Sequence, residues 1–574
     1  MEKLHQSNDE APAPPTHHDE EYPPRKVMIP IVLSICLAAF LSSLDRTIIG
    51  VAVPAISNEF GSFSDISWYE SAYLLTFASL QLPMGKIYTY FCSKWIFNIF
   101  VVVFEVGSII CAAAPTSTAF IIGRAIAGIG SAGISTGGQV LFVDLLPLEK
   151  RPKYQGLLAA TFGISAIAGP LLGGVFASQT TWRWCFWVNL PVGGVALVVL
   201  LLLLPAKPAP RERSKESLMR RVQQFDPLGT VLVTLGLILL LLALQWGGED
   251  AAWTRPRVLG TLIPGIILLV TFAVSQVWIG DDGTIPPRIM LQRSIAAASV
   301  SSLGFGSALI IVTFYLPIWY QAIQGLSAVD AGIRLLGYFL TTVVFVIASG
   351  ILISKIGYYT PCLIVGTAIM AVGCGLLATL RVGSTDAQVV GYQVLFGVGM
   401  GLALTQAINA VQTVLPRRDI PTGLTIVNFM NFVGGTIFVS VSQTILTNTL
   451  SKELRQSIPG LDASSLLSNG ATDLYNAVTQ DKLPLILEAY NKGLNNVFFC
   501  AMAVSCLAFI GACFLEWSLQ QMQSLILSAA YASSSLVSVS FAVKSHKNNK
   551  TAAQLLTRYL QATQNGAGRQ HASR

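Results

Sequence analysis

Residues 163–176 read GISAIAGPLLGGVF. Four glycines and a proline, all of them residues that weaken helices, stand here inside a long apolar run. Their spacing explains them. Gly163, Ala166, Pro170, Gly173, Gly174 and Ala177 fall at i, i+3, i+7, i+10, i+11 and i+14, so they share one helical stripe. Small residues in a stripe make a smooth groove against which another helix can pack closely. A proline inside it adds a bend. The stretch therefore reads as a bent seam in a helix whose other faces are apolar.

The rest of the chain sets that helix in a membrane. Of 574 residues, 53% are hydrophobic and 11% charged, against about 25% charged in soluble domains. Apolar runs recur near 29–54, 67–85, 95–114, 119–146, 154–177, 184–204, 226–247, 258–279, 295–320, 329–352, 359–380, 387–415, 422–446 and 493–515. Each is near the ~20 residues that cross a bilayer as a helix. The fold class is an all-α polytopic membrane protein with fourteen spans, and no stretch between the tails is polar enough for a soluble enzyme domain. The nine cysteines form no CxxC pair and read as small buried hydrophobes. The five histidines (His5, His17, His18, His546 and His571) all lie in the tails, so no histidine serves inside the membrane and no metal site is expected.

Basic residues orient the spans. Loops after even-numbered spans hold Lys86 and Lys94, then Lys150, Arg151 and Lys153, then six cations between Lys207 and Arg221, and later Arg288, Arg293, Lys355, Arg417 and Arg418. The opposite loops hold few, so both tails are expected in the cytoplasm. The chain reads as a polar tail 1–28, six spans in 29–204, a basic loop 205–225 and two spans in 226–279. A loop 280–294, six more spans in 295–515 with an outer loop 447–492, and a tail 516–574 follow. No removable signal peptide is evident. Residues 523–543 are apolar but serine-rich, and a span there would carry Lys544, Lys547 and Lys550 outside. They read as an interfacial or loosely ordered segment, which leaves the sequon at Asn549 facing the cytoplasm.

Ionisable groups within spans are costly and commonly functional. Asp45 and Arg46 lie in the outer half of the first span, about 24 Å along it. Glu105 lies in the middle of the third and Arg124 opens the fourth. On a structural reading, Asp45 and Arg46 pair near the interface and Glu105 bonds a neighbouring helix. On a functional reading, burial favours the neutral form of a carboxyl group, so it can load and release a proton as an arginine approaches or leaves.

These stretches together resemble the major facilitator superfamily, in its fungal fourteen-span drug:proton antiporter branch. LDRTIIGVAVPAI (44–56), RAIAGIGSAG (124–133), WRWCFWVNLPVGG (182–194), YLPIWYQAIQGLSAVDAGIRLL (315–336) and GVGMGL (397–402) resemble its motifs. GKIYTYFCSKWIF (85–97) stands at its loop motif, with Thr89 and Cys92 where an aspartate and a glycine are usual, and Ala127 replaces a glutamine in the span-4 motif. GISAIAGPLLGGVF resembles the antiporter motif of span 5, a mark of exporters. The resemblance covers about residues 28–517. It implies two six-helix bundles plus two extra central spans and a central cavity with alternating access. It also implies a monomeric unit working on small molecules and protons in the lipid bilayer, driven by the proton gradient without a cofactor or nucleic acid. Asp45, Arg46, Glu105 and Arg124 become the proton-coupling set, and Gly163, Gly169, Pro170, Gly173 and Gly174 the antiporter motif. Gly85, Lys86 and Lys94 form the gating loop, with Asp144 and Arg151 as its ion pair.

The candidate cavity residues are Gln139, Asn189, Trp319, Tyr320, Gln321, Gln406, Asn409, Gln412, Asn428 and Asn431. Neutral amides and flat rings suit bulky, weakly polar compounds better than sugars or phosphates. Proton-coupled efflux of a toxin, secondary metabolite or drug across the plasma membrane is the expected function. A vacuolar basic amino-acid transporter and a siderophore transporter of the same fold remain as alternatives, as does a sensor. An ATP-driven pump is excluded as a self-contained unit, since no GxxxxGK[ST] loop occurs.

Overall fold

Each long apolar run closes into a helix, because a backbone in lipid must satisfy its hydrogen bonds within its own segment. The computed structural model describes residues 24–61, 65–206, 226–249, 254–326, 328–457 and 483–517. The expectations for the N-terminal tail before residue 24, the basic loop 207–225, the middle of the outer loop and the segment after 517 lie outside these residues.

In chain order the helices are α1 (Arg25–Phe60), α2 (Ile66–Tyr90), α3 (Ser93–Ala113), α4 (Ser117–Leu145), α5 (Arg151–Gln179), α6 (Trp184–Trp187) and α7 (Asn189–Leu203). Then come α8 (Pro227–Glu249), α9 (Pro256–Ile279), α10 (Pro287–Met290), α11 (Arg293–Gln324), α12 (Ala328–Arg334) and α13 (Leu336–Ile356). The last are α14 (Thr360–Leu377), α15 (Asp386–Ala403), α16 (Gln406–Val414), α17 (Ile420–Ser457) and α18 (Leu483–Cys513). Three spans are broken: α6 and α7 form the sixth, α12 and α13 the tenth, α15 and α16 the twelfth. Among the described residues, 13 segments are long and apolar enough to cross a membrane. The remaining span, α2, has 25 residues and carries Glu70 and Lys86, yet it buries Tyr69, Tyr73, Gln81 and Lys86. Helices α17 and α18 run further than the sequence implies, so the outer connection is shorter than 447–492.

The two halves repeat one pattern. In the first, α1 packs on α5, and α2 on α4 on α3. In the second, α11 packs on α17, and α13 on α15 on α14. The halves meet through α5 against α13 and α2 against α17, contacts that exchange under the same repeat. Helices α8 and α9 pair with each other, and α8 lies along α2 and α17. They therefore flank the junction instead of separating the halves.

The glycine-rich fourth and twelfth spans are packing devices in corresponding places. A Cβ at Gly130 would strike the Phe104 backbone on α3, and one at Gly399 would strike the Met370 backbone on α14. Ile99, Val102, Val106 and Ile109 on α3, and Val270, Val274 and Val277 on α9, are exposed at helical spacing. They form apolar outer stripes suited to lipid.

Candidate functional site

The halves enclose a cavity of about 1740 Å³. One end is shut by contacts between halves at the end that carries Lys86, Asp144 and Arg417. There a Cβ at Gly85 would meet Thr425 on α17, and one at Gly350 would meet the Pro152 carbonyl on α5. Asn428 donates to Gln139 Oε1 across the junction at 3.0 Å, and Arg417 pairs with Asp144 at 3.1 Å. At the other end the wall includes Val53, Glu70, Thr447 and Asn448, of which Glu70 and Asn448 are exposed. The cavity opens there.

Asp45 and Arg124 form an ion pair behind the wall, both side chains 0% exposed. Arg124 Nε also donates to the Tyr69 carbonyl at 2.8 Å, and its guanidinium lies 4.6 Å from the Tyr73 ring centroid. Charges taken out of water need such partners, because the desolvation cost must be offset by geometry and hydrogen bonds. The offset is incomplete: Asp45 Oδ1 and Arg124 Nη2 are buried without a partner among the described residues. Tyr73 donates to Ser131 Oγ at 2.6 Å, and Ser131 bonds Ser42. Both serines line the cavity. Hydroxyls thus join the cavity wall to the tyrosine beneath the buried arginine.

Arg46 parts company with its neighbour. It lines the cavity, with its guanidinium carbon 5.8 Å from the Phe77 and Phe162 centroids and 5.5 Å from that of Phe432. Pairing of Asp45 with Arg46 is therefore corrected to pairing of Asp45 with Arg124. Consecutive helical residues point about 100° apart, so both could not face one partner. Glu105 joins neither. Its two carboxylate oxygens are buried without partners among the described residues, against Gly193 of α7, where a Cβ would collide with Oε1.

The span-5 stretch serves two partners. A Cβ at Gly163 would run into Val343 of α13, in the other half. Gly169 instead abuts Thr47 of α1, whose hydroxyl donates to the Ser165 carbonyl at 2.8 Å. Ala166 lines the cavity, and Gly173 is buried while Gly174 is half-buried. Pro170 lies within α5, which continues through it. Gly163 of the stripe thus meets the other half, while Gly169, which lies off the stripe, meets α1, because 3.6 residues per turn carry neighbouring glycines round the axis.

At the shut end, Asp144 accepts from Ser93 Oγ at 2.9 Å as well as from Arg417. Its partner across the halves is Arg417, while Arg151 donates to the carbonyls of Val143 and Leu146 at 3.0 and 3.1 Å. Lys86 is buried and donates to the Asp282 carbonyl at 2.8 Å. Lys94 sits 5.6 Å from the Trp95 ring.

Of the candidate cavity residues, Gln139, Asn428 and Asn431 line the wall. The others do not. Asn189 donates to Ser108 at 3.2 Å, Trp319 to Asn491 at 2.8 Å, and Tyr320 accepts from Gln393. Gln406 donates to the Leu402 carbonyl at 2.7 Å and accepts from Asn409 at 2.8 Å, while Gln321 reaches the Pro317 carbonyl at 3.3 Å. Gln412 is buried and its amide has no partner among the described residues. These polar groups mostly tie helices together, as buried polar groups in apolar surroundings must. Sequence reasoning missed Ser42, Tyr73, Ser131 and the three phenylalanines around Arg46. Ser42 carried a signal, standing one turn from Asp45 and Arg46; the aromatics carried none.

Known proteins bear on this geometry. A family model described as Major Facilitator Superfamily matches residues 35–439. The MFS-type transporter VdtG of Byssochlamys spectabilis is 43% identical over 497 residues, covering 87% of this chain and 89% of that protein. Efflux pump aflT of Aspergillus parasiticus is 43% identical over 488 residues, 85% and 95% of the two chains. Among solved structures, the proton:xylose symporter XylE aligns with a TM-score of 0.55 at 15% identity, over 87% of this chain and 99% of that one, a likeness of fold. With paired halves around one cavity and a family match over most of its length, the chain belongs to the Major Facilitator Superfamily.

Proposed function

We propose that the protein exports bulky, weakly polar small molecules, such as a toxin or secondary metabolite, across the plasma membrane in exchange for protons. The observation that carries this reading is the buried Asp45–Arg124 pair, set behind the wall of a large cavity and linked to it through Tyr73, Ser131 and Ser42. The name of efflux pump aflT supports the direction of transport. With the basic loops cytoplasmic, the shut end is the inner one and the cavity faces outwards, the state from which cargo leaves.

In this state a proton entering from outside reaches Asp45 by way of the hydroxyls. Neutralising Asp45 removes the charge that holds Arg124, whose Nη2 is already unsatisfied. The pair is the bistable element: ionised and joined it favours one arrangement of the halves, and protonated it favours the other. A basic amino-acid transporter fits less well, because the wall carries a cation, Arg46, and its carboxylate, Glu70, stands at the mouth.

The test is Asp45→Asn in proteoliposomes with an imposed pH gradient. The amide keeps an acceptor for Arg124 but cannot titrate, so gradient-driven export is lost while the protein still inserts. Normal export by this variant would move coupling elsewhere, first to Glu105.

A further inference from the structure

Arg46 is the unexplained charge of the cavity. Among the described residues that line the wall, only Arg46 and Glu70 carry charge, and Glu70 is an exposed residue at the open mouth. Arg46 Nε is buried and unbonded, and no hydrogen bond or ion pair to the side chain is found among the described residues. Three phenylalanine rings surround it instead, Phe77 from α2, Phe162 from α5 and Phe432 from α17. Two come from the first half and one from the second, so the cluster spans the junction on which alternation depends. Phe77 and Phe432 also touch each other, with centroids 4.6 Å apart.

Ring faces attract a cation only modestly, about 0.5–2 kcal/mol each. They accept no hydrogen bond of ordinary strength, so the donors of a planar guanidinium are left for something else. An arginine placed between apolar walls without a carboxylate costs free energy unless a ligand or water satisfies it. The guanidinium fork matches a carboxylate or a phenolate in its own plane, and the surrounding rings match the flat frame that would carry it.

We propose that the cargo of this cavity is a planar aromatic anion, a ring system carrying one carboxylate or phenolate, which pairs with Arg46 among Phe77, Phe162 and Phe432. This rests on the efflux reading and narrows it from weakly polar compounds to those with a single acidic group. A second anionic group would find no partner on the described wall. The complex is neutral overall, which lets it cross the low-dielectric stage of the cycle without a net charge.

The test compares two probes of the same shape, anthraquinone-2-carboxylate and anthraquinone-2-carboxamide, by equilibrium dialysis against the purified full-length protein at pH 7. Export of each is followed in proteoliposomes. The expected result is that the carboxylate binds at least about tenfold more tightly than the amide, the scale of one charge-assisted hydrogen bond. In Arg46→Gln the ratio of the two affinities falls to near one. In Arg46→Lys, which keeps the charge and loses the fork, a smaller preference survives, and gel filtration confirms that both variants are folded. Equal binding of the probes by the unaltered protein, binding of neither, or an unchanged ratio in Arg46→Gln overturns the proposal. Gradient-driven export of the amide without preference for the carboxylate overturns it while leaving the efflux reading intact; absence of gradient-driven export of any compound sinks the efflux reading itself.

Discussion

At the scale of single residues, what matters is which polar groups have partners. Asp45 and Arg124 offset each other's desolvation, and removing either would leave a buried charge at a cost of about 3–5 kcal/mol. Tyr73 makes no ion pair, yet its hydroxyl, with one proton to give, lies within hydrogen-bond distance of Ser131 Oγ at 2.6 Å and of the Ser42 carbonyl at 3.0 Å. In Tyr73→Phe the ring beneath Arg124 remains and both contacts vanish. Proton uptake, followed with a pH-sensitive dye inside vesicles, should slow severalfold, whereas equilibrium binding of cargo should not change. Unslowed uptake would remove the hydroxyls from the proton route. The charged residues themselves were legible in the sequence because charges are rare in apolar runs. Which arginine, Arg46 or Arg124, meets Asp45 was not, since that depends on the rotation of α1 against α4. The misplaced amides share this cause: Asn189, Gln406 and Asn409 are polar residues in spans, but only neighbouring helices decide whether such a face meets a cavity or another helix.

At the scale of elements, α5 is the informative helix. It touches α1 within its own half and α13 in the other, and it lends Ala166, Phe162 and Leu158 to the cavity. The close approach at Gly163 leaves no room for a side chain beside Val343. Gly163→Leu should hold the shut end apart, giving near-complete loss of export with normal membrane levels. Accessibility of a cysteine introduced near the shut end should rise in step. Gly194→Ala on α7 is the matched control, since nothing lies within 4 Å of the added carbon. It should leave transport intact and shift stability by no more than about 1 kcal/mol. Loss of function in both variants would leave the α5 glycines as ordinary helix weakeners. Close approach of a helix at Gly163 was legible from spacing, but which helix comes there was not, because a stripe does not name its neighbour.

At the scale of the whole molecule, the repeat of α1–α7 in α11–α18 gives two bodies that meet through related surfaces. The ties that shut one end are individually weak. Arg417 is 39% exposed in its pair with Asp144, and partly exposed pairs of this kind contribute about 0–1 kcal/mol. Such ties can be broken and remade in each cycle. Reversing the charge in Arg417→Asp should reduce export and make the shut end more accessible to a thiol reagent. Adding Asp144→Arg should recover much of the loss if the pair acts as a gate. A double variant as inactive as the single one would assign both residues to other contacts. The fourteen-span plan was legible from hydropathy, because lipid imposes a length rule on every span, whereas the two halves were implied by the family resemblance. The packing of α8 against α2 and α17 was not legible, since nothing in its uniformly apolar sequence names a neighbour.

The cluster of rings around Arg46 also has an electrical consequence. A fixed positive charge in the cavity faces first one side and then the other as the halves alternate, so an empty transporter shifts charge through the membrane field. A voltage of 100 mV acts on one elementary charge with up to about 2.3 kcal/mol. Inside-negative voltage then draws the unoccupied cavity back towards the cytoplasm, while a cavity whose arginine is neutralised by cargo is indifferent to it. The resting potential of the cell would thus speed the return stroke alone, and the pump would run fastest in cells that are well energised.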